Sequence, residues 1–120
     1  VQADSLPHPL DLIIFDSAIN HGPVAAVKLL QKSLNTLPPY PQLKVDGIIG
    51  PLTLRAVRDC VGLKDAPGSQ NKSNIRHLCI DVLMNRIELY LSIVLNNKSQ
   101  EKFLKGWLNR VFKLKSQAGL

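Results

Sequence analysis

The stretch VDGIIGPLTLRAV, residues 45–57, places an aspartate–glycine pair and then a glycine–proline pair directly before an apolar-periodic run. Asp46-Gly47 is a turn pair, with Gly47 free to take positive φ. Gly50-Pro51 launches a helix, because proline suits the first helical turn. The spacing predicts that helix over Pro51–Val61, with Leu54, Val57 and Val61 on one face. Asp46 can accept hydrogen bonds from backbone N–H groups of the turn, and Thr53 can do the same from the first helical turn. Ile48 and Ile49 sit between the glycines, where only one can comfortably point inward. Such a turn reads either as a self-satisfied helix entry or as a rigid loop whose exposed edge meets a ligand.

Outward from this stretch the chain reads as helix. Pro9–His21 is apolar on nearly every side, as expected of a buried central helix. Gly22-Pro23 stops that helix and starts the next, Pro23–Asn35, which has Ala26, Val27, Leu30 and Leu34 on one face and Lys28 and Lys32 opposite. Residues 36–44, with three prolines, are loop, and 62–73 is a polar loop or linker. Asn74–Asn96 is a long fourth helix. Ser99–Gln117 is a fifth, with Ser99 as its N-cap and Lys113 and Lys115 suiting the dipole at its end. A short β-like turn around 43–49 is the one exception. The expected fold is all-α: a single compact five-helix domain over residues 1–120, with a short turn-rich D-G-x-x-G segment.

The 120 residues carry 15 Lys+Arg against 9 Asp+Glu, a net charge of +6. This favours an anionic partner: nucleic acid, anionic lipid, or an acidic polymer such as bacterial cell wall. No apolar run reaches the length of a membrane span, and no signal peptide is visible. The opening VQADSLPHPLDL reads like the middle of a longer polypeptide, so a fragment or processed chain is expected. Cys60 and Cys79 match no zinc pattern. They read as two buried thiols, or else as a disulfide joining two helices.

Several side chains stand out against this background. On the fourth helix His77, Asp81, Asn85, Glu88 and Ser92 form a solvated stripe. Arg86 lies opposite it, amid apolar residues, with Tyr90 one turn on. An arginine there is paired, with Asp16 as the candidate partner, or it lines a groove with Tyr90 and meets a carboxylate or sugar. On the fifth helix Phe103, Leu104, Trp107, Leu108, Val111 and Leu114 form a broad apolar face, with Arg110 at its edge and Gly106 leaving a gap. Trp107 fits a core position, and also a platform for the apolar face of a sugar. Asn20 and Gln31 are amides near apolar helix faces, able to donate and accept. His8, His21 and His77 do not converge and read as surface or capping residues. No metal site and no cofactor are expected.

Three stretches in order, FDSAINHGPVAAVKLLQ (15–31), VDGIIGPLTLRAV (45–57) and FLKGWLNRV (103–111), resemble the C-terminal peptidoglycan-binding half of glycoside hydrolase family 108, the phage-endolysin-like muramidases. The D-G-x-x-G-x-x-T turn also recurs in peptidoglycan-binding domains of cell-wall hydrolases. The resemblance implies that the chain binds the glycan strand and stem peptide of peptidoglycan. It implies a linked N-acetylmuramidase domain, absent from this chain, and a place in the periplasm or cell wall. The muramidase half of that family carries a catalytic glutamate in an E-G-G-Y-like motif. Here the only glutamates, Glu88 and Glu101, lack that motif, so no catalytic residue and no glycan cleavage by this chain alone are expected.

The expected ligand-binding residues are Asn20, Gln31, Asp46, Gly47, Ile49, Arg86, Tyr90, Trp107 and Arg110. They are placed where the 46–50 turn, the end of the first helix and the Arg86/Tyr90 side of the fourth could meet. A basic helical domain that binds nucleic acid or another protein is the alternative. Against nucleic acid, the cations are spread over several helices without a recognition helix or a stacking platform.

Overall fold

The structure is a computed structural model and describes residues 5–63, 66–70 and 72–120. Five α-helices follow in order: α1 (Leu10–His21), α2 (Pro23–Asn35), α3 (Pro51–Val61), α4 (Lys72–Asn96) and α5 (Leu104–Gln117). The all-α expectation holds. The central element is α4, which packs against each of the other four helices. Its inner face carries Ile75, Leu78, Cys79, Val82, Leu83, Arg86, Tyr90 and Val94. A helix that meets neighbours on several sides has little amphipathic contrast to display in its sequence. None of the described helices is long and apolar enough to cross a membrane.

Gly22 turns the chain from α1 into α2 with φ 89° and ψ 157°, and Pro23 opens α2. The α1–α2 pair is the most extensive helix contact after this sharp corner. Leu10, Ile13 and Ile14 of α1 and Leu30 and Leu34 of α2 are fully buried between them and α4. The outer side of α1 is not covered, however: Phe15 and Ile19 are 56% and 63% exposed. A helix apolar all round does not say which side its neighbours will take, so the expected central burial of α1 is only half realised.

Other expectations need correction. The segment 43–49 bends at Asp46-Gly47 and forms no strand. A two-stranded antiparallel pair lies instead at β1 (Gly62–Leu63) and β2 (Ala66–Gln70), inside the segment read as loop. Pro67 and Gly68 interrupt any alternation there, which hid it. The start of the last helical segment is a 3-10 turn, Lys98–Phe103, capped by Asn97 rather than Ser99. The Asn97 side-chain oxygen accepts the Ser99 N–H at 3.2 Å. On α5 only Val111 and Leu114 are buried, while Phe112, and Phe103 at the end of the 3-10 turn, are exposed. Cys60 and Cys79 are free, buried thiols rather than a disulfide. Burial, aided by Asp11, pushes the Cys79 thiol up to about 12, and burial with Asp81 also raises Cys60.

The proline-rich loop 36–50 is held by two side-chain amides from α2. Asn35 donates to the Leu43 carbonyl at 2.8 Å and accepts the Leu43 N–H at 2.6 Å. Gln31, 1% exposed, accepts N–H bonds from Asp46 and Gly47 at 3.1 and 2.9 Å. Its amide nitrogen lies 3.0 Å from the Asp46 carboxylate, 3.1 Å from the Ile48 carbonyl and 3.2 Å from the Thr53 hydroxyl. The Asp46 carboxylate also accepts the Ile48 N–H at 3.0 Å. These bonds satisfy the buried amide of Gln31 and the buried Gly47 N–H, and fix a turn whose Asp46 and Ile48 stay exposed.

Gly47 is required for two reasons. Its φ is +80°, and a Cβ there would come within 2.5 Å of Val24 Cγ1 and 2.9 Å of the Val24 carbonyl oxygen. Gly22 also has positive φ, but a Cβ there meets nothing within 4 Å. Gly47→Ala should therefore destabilise more than Gly22→Ala. The latter carries backbone strain alone, on the order of 1–3 kcal/mol. Chemical denaturation of both variants checks the order, which equal losses would contradict.

Candidate functional site

The second group of polar residues forms where α1, α4 and α5 meet. The Arg86 side chain is 0% exposed and Asp16 is 19% exposed. Arg86 donates through Nη1 to Asp16 Oδ2 at 2.7 Å and to the Ser17 hydroxyl at 3.2 Å. Its Nε and Nη2 donate to the Tyr90 hydroxyl at 3.3 and 3.2 Å. The Ser17 hydroxyl in turn donates to the Ile13 carbonyl at 2.8 Å. From α5, Arg110 reaches the other carboxylate oxygen, Asp16 Oδ1, at 3.1 Å, while its side chain stays 48% exposed. Asn20 donates to the carbonyl and to Oδ2 of Asp16 at 3.0 and 3.1 Å. The sequence left open whether Arg86 is paired, and in this structure it is, with Asp16.

Burial works against the ionised form of Asp16. The hydrogen bonds from Arg86 and then Arg110, together with their charges, outweigh it and hold the carboxyl below its ordinary value. Asp46 in the turn is also held low, first by the Gln31 hydrogen bond and next by the Ile48 N–H. Both acids are therefore ionised acceptors at neutral pH.

Against this polar cluster lies a run of rings. Tyr90 and Trp107 are stacked with centroids 4.9 Å apart and planes at 17°. Phe103 continues the stack from Trp107 at 5.9 Å. His21 closes the other end, its ring 4.9 Å from Tyr90 and tilted by 51°. Exposure grades along the run: Tyr90 is buried, Trp107 half-buried, and Phe103 45% exposed. Trp107 thus packs on the core with one part and leaves another at the surface.

The expected site residues fall into two groups. Asn20, Arg86, Tyr90, Trp107 and Arg110 come together around Asp16, and Gln31, Asp46 and Gly47 come together in the turn, with Ile49 half-buried beside them. The groups adjoin at the α1–α2 corner. Val24 lies under Gly47, and His21, three residues earlier, caps the ring stack, which puts their Cα atoms at most about 11 Å apart. Gln31, Gly47, Arg86 and Tyr90 are buried, so the direct ligand contacts expected of them are not open in this conformation. Asn20, Asp46 and Arg110 are exposed.

Sequence reasoning passed over two participants. From the sequence His21 reads as a surface or capping residue, yet it extends the buried stripe Leu10, Ile14, Ser17 by one more helical turn. That spacing was the available signal. Phe103 reads from the sequence only as part of an apolar face. Among the described residues no group of three or more His, Cys, Asp or Glu side chains is placed to hold a metal ion.

Arg86→Met should destabilise the domain by about 3 kcal/mol, the low end for breaking a buried pair, because Asp16 keeps Arg110 and some water. Lys105→Met, on the exposed side of α5, should leave the unfolding free energy within about 0.5 kcal/mol of the parent. Thermal unfolding of the two variants measures the difference. Equal melting temperatures would contradict the buried pair.

The comparison with known families bears on this geometry. A family model described as "Predicted Peptidoglycan domain" matches residues 25–112. The matched span holds Gln31, the Asp46-Gly47 turn, Arg86, Tyr90, Trp107 and Arg110. No curated protein and no solved structure gives a match. Because the family model spans well over half of the sequence, the chain belongs to the family of predicted peptidoglycan domains.

Proposed function

We propose that the chain binds bacterial peptidoglycan at the corner where the end of α1, the 46–50 turn and the Tyr90–Trp107–Phe103 stack adjoin. Family membership supports the wall polymer as the partner. One observation carries the choice of surface. Two guanidinium groups, Arg86 and Arg110, share the single Asp16 carboxylate, and two positive charges against one negative leave +1. Of the two, only Arg110 reaches solvent, and it does so on the helix that carries half-buried Trp107 and follows directly on Phe103. A stem-peptide carboxylate suits the remaining guanidinium N–H groups of Arg110. The exposed parts of Trp107 and Phe103 suit the apolar face of a sugar. Asn20 and Asp46 flank this surface with an amide and an acceptor. Arg86, Tyr90, Gln31 and Gly47 act from beneath, holding the contacting groups in place.

In this reading the chain places a linked N-acetylmuramidase domain on its substrate, at the cell wall or in the periplasm. That part rests on the resemblance to glycoside hydrolase family 108. The chain itself supplies binding and no glycan cleavage, and it uses no cofactor. Its basic charge draws it toward an anionic polymer over a distance set by ionic strength.

Cosedimentation with purified sacculi tests the surface. A charge-assisted hydrogen bond contributes about 1.5–3 kcal/mol, and about 1.4 kcal/mol is tenfold in affinity. Arg110→Met should therefore weaken binding roughly tenfold. Its melting temperature should change little, because a half-exposed ion pair stabilises by about 1 kcal/mol at most. Lys105→Met should bind as the parent does. Unchanged binding by Arg110→Met removes the surface. A DNA-shift assay in which the chain binds nucleic acid as tightly as sacculi would favour the alternative partner.

A further inference from the structure

His21 occupies an unusual position for a titratable group. Its Nε2 is sealed from water and has no hydrogen-bond partner among the described residues. A neutral imidazole can leave that nitrogen as an unused acceptor. A protonated one cannot, because it would carry a charged N–H with no acceptor in reach. The surrounding charges make protonation still less favourable. Asp16 lies on the same helix, but both of its oxygens are taken by Arg86 and Arg110. From α4, Tyr90 touches the ring and Arg86 places its charge nearby. From α5, Trp107 stacks on Tyr90, and Arg110 joins the cluster through Asp16. One more positive charge would meet a cluster already at +1.

We propose that His21 is a pH gate on the binding corner. Neutral, it closes the ring stack over Tyr90 and Trp107, the arrangement that binds. Protonated, it leaves the stack, the end of α1 swings free at Gly22, and Trp107 loses its fixed position. Burial, and after it the Arg86 charge, does hold the His21 ring below its ordinary basicity, with Asp16 opposing. The sign follows from linkage. The open corner takes up the proton more readily than the closed one, so the closed state is favoured in full above the ordinary histidine value of about 6.5. It is lost progressively as pH falls from there through the lowered value. Each unit of difference between closed and open states gives up to about tenfold in the closed population, and apparent affinity falls with that population. The chain would thus hold the wall at neutral pH and release it on acidification. The wall as ligand rests on the function proposed above, but the gate itself does not.

Two readouts separate the two ideas. Trp107 is the only tryptophan, so its emission reports the corner without any ligand. Between pH 8 and 5 the parent should show a red shift with a midpoint below about 6.5, in a range where circular dichroism shows the helices intact. His21→Phe keeps a ring at that place and cannot titrate, so its emission should be flat. His8→Gln and His77→Gln, which change the two exposed histidines, should behave as the parent does. Sacculus binding should weaken progressively from pH 7.5 to 5 in the parent and stay level in His21→Phe. A flat parent emission, or the same titration in His21→Phe, overturns the gate. If emission titrates as described but sacculi are not bound at any pH, the gate stands and the wall reading falls. If His21→Phe does not fold, proton NMR of the parent decides: a His21 ring titrating at or above 6.5 overturns the gate.

Discussion

Arg86 is the constraint on which the rest of the structure depends. A guanidinium with no solvent contact must have its donors satisfied inside the protein. Here they are directed to the Asp16 carboxylate, the Ser17 hydroxyl and the Tyr90 hydroxyl. Those bonds fix the rotation of α1 against α4, because Asp16 and Ser17 must both face the guanidinium. They also fix the Tyr90 ring, and Trp107 on α5 stacks on that ring. Three helices are therefore registered by one side chain. This explains why a helix as apolar as α1 can leave Phe15 and Ile19 exposed: its orientation is set by where Asp16 must point.

The same device appears twice. In the turn, a buried amide on α2, Gln31, holds the exposed carboxylate of Asp46 and the backbone around Gly47. At the α1–α4–α5 junction, a buried guanidinium on α4 holds the half-buried carboxylate of Asp16 and, through it, Arg110. In each case a donor rooted in a helix fixes an acid nearer the surface and holds it ionised. The conformational entropy of ordering the surface groups is then met during folding rather than on binding. Such preorganisation suits recognition of a long, irregular polymer by a small surface.

The helical architecture was legible because most helices carry their boundaries in plain residues. Pro23 and Pro51 open α2 and α3, Gly22 closes α1, and the apolar spacing of α2 and α3 gives each a face. The short strands were not legible, since Pro67 and Gly68 break any alternation and a two-stranded pair needs little apolar signal. The site was legible in its membership more than in its roles. Arg86, Tyr90, Gln31 and Gly47 stand out because polar or turn residues are conspicuous beside apolar ones. That same conspicuousness fits buried support as well as surface contact. Deciding between these needs long-range partners: Asp16 and Arg110 are 94 positions apart, and no local pattern joins them. His21 was missed for a related reason, since a residue at a helix end is ordinarily solvated until a neighbouring helix covers it.

The most direct test of Arg86 as organiser is a double-mutant cycle on stability, using Arg86→Met, Asp16→Asn and both together. Asp16→Asn alone leaves a buried guanidinium short of its carboxylate, and Arg86→Met alone leaves Asp16 without its nearest partner. Removing both relieves each defect. The coupling should lie at about 1.5–3 kcal/mol, the upper part of the range for residues in one hydrogen-bonded network. Additivity within about 0.5 kcal/mol, as found for independent sites, would contradict the role of this pair in holding α1, α4 and α5 together.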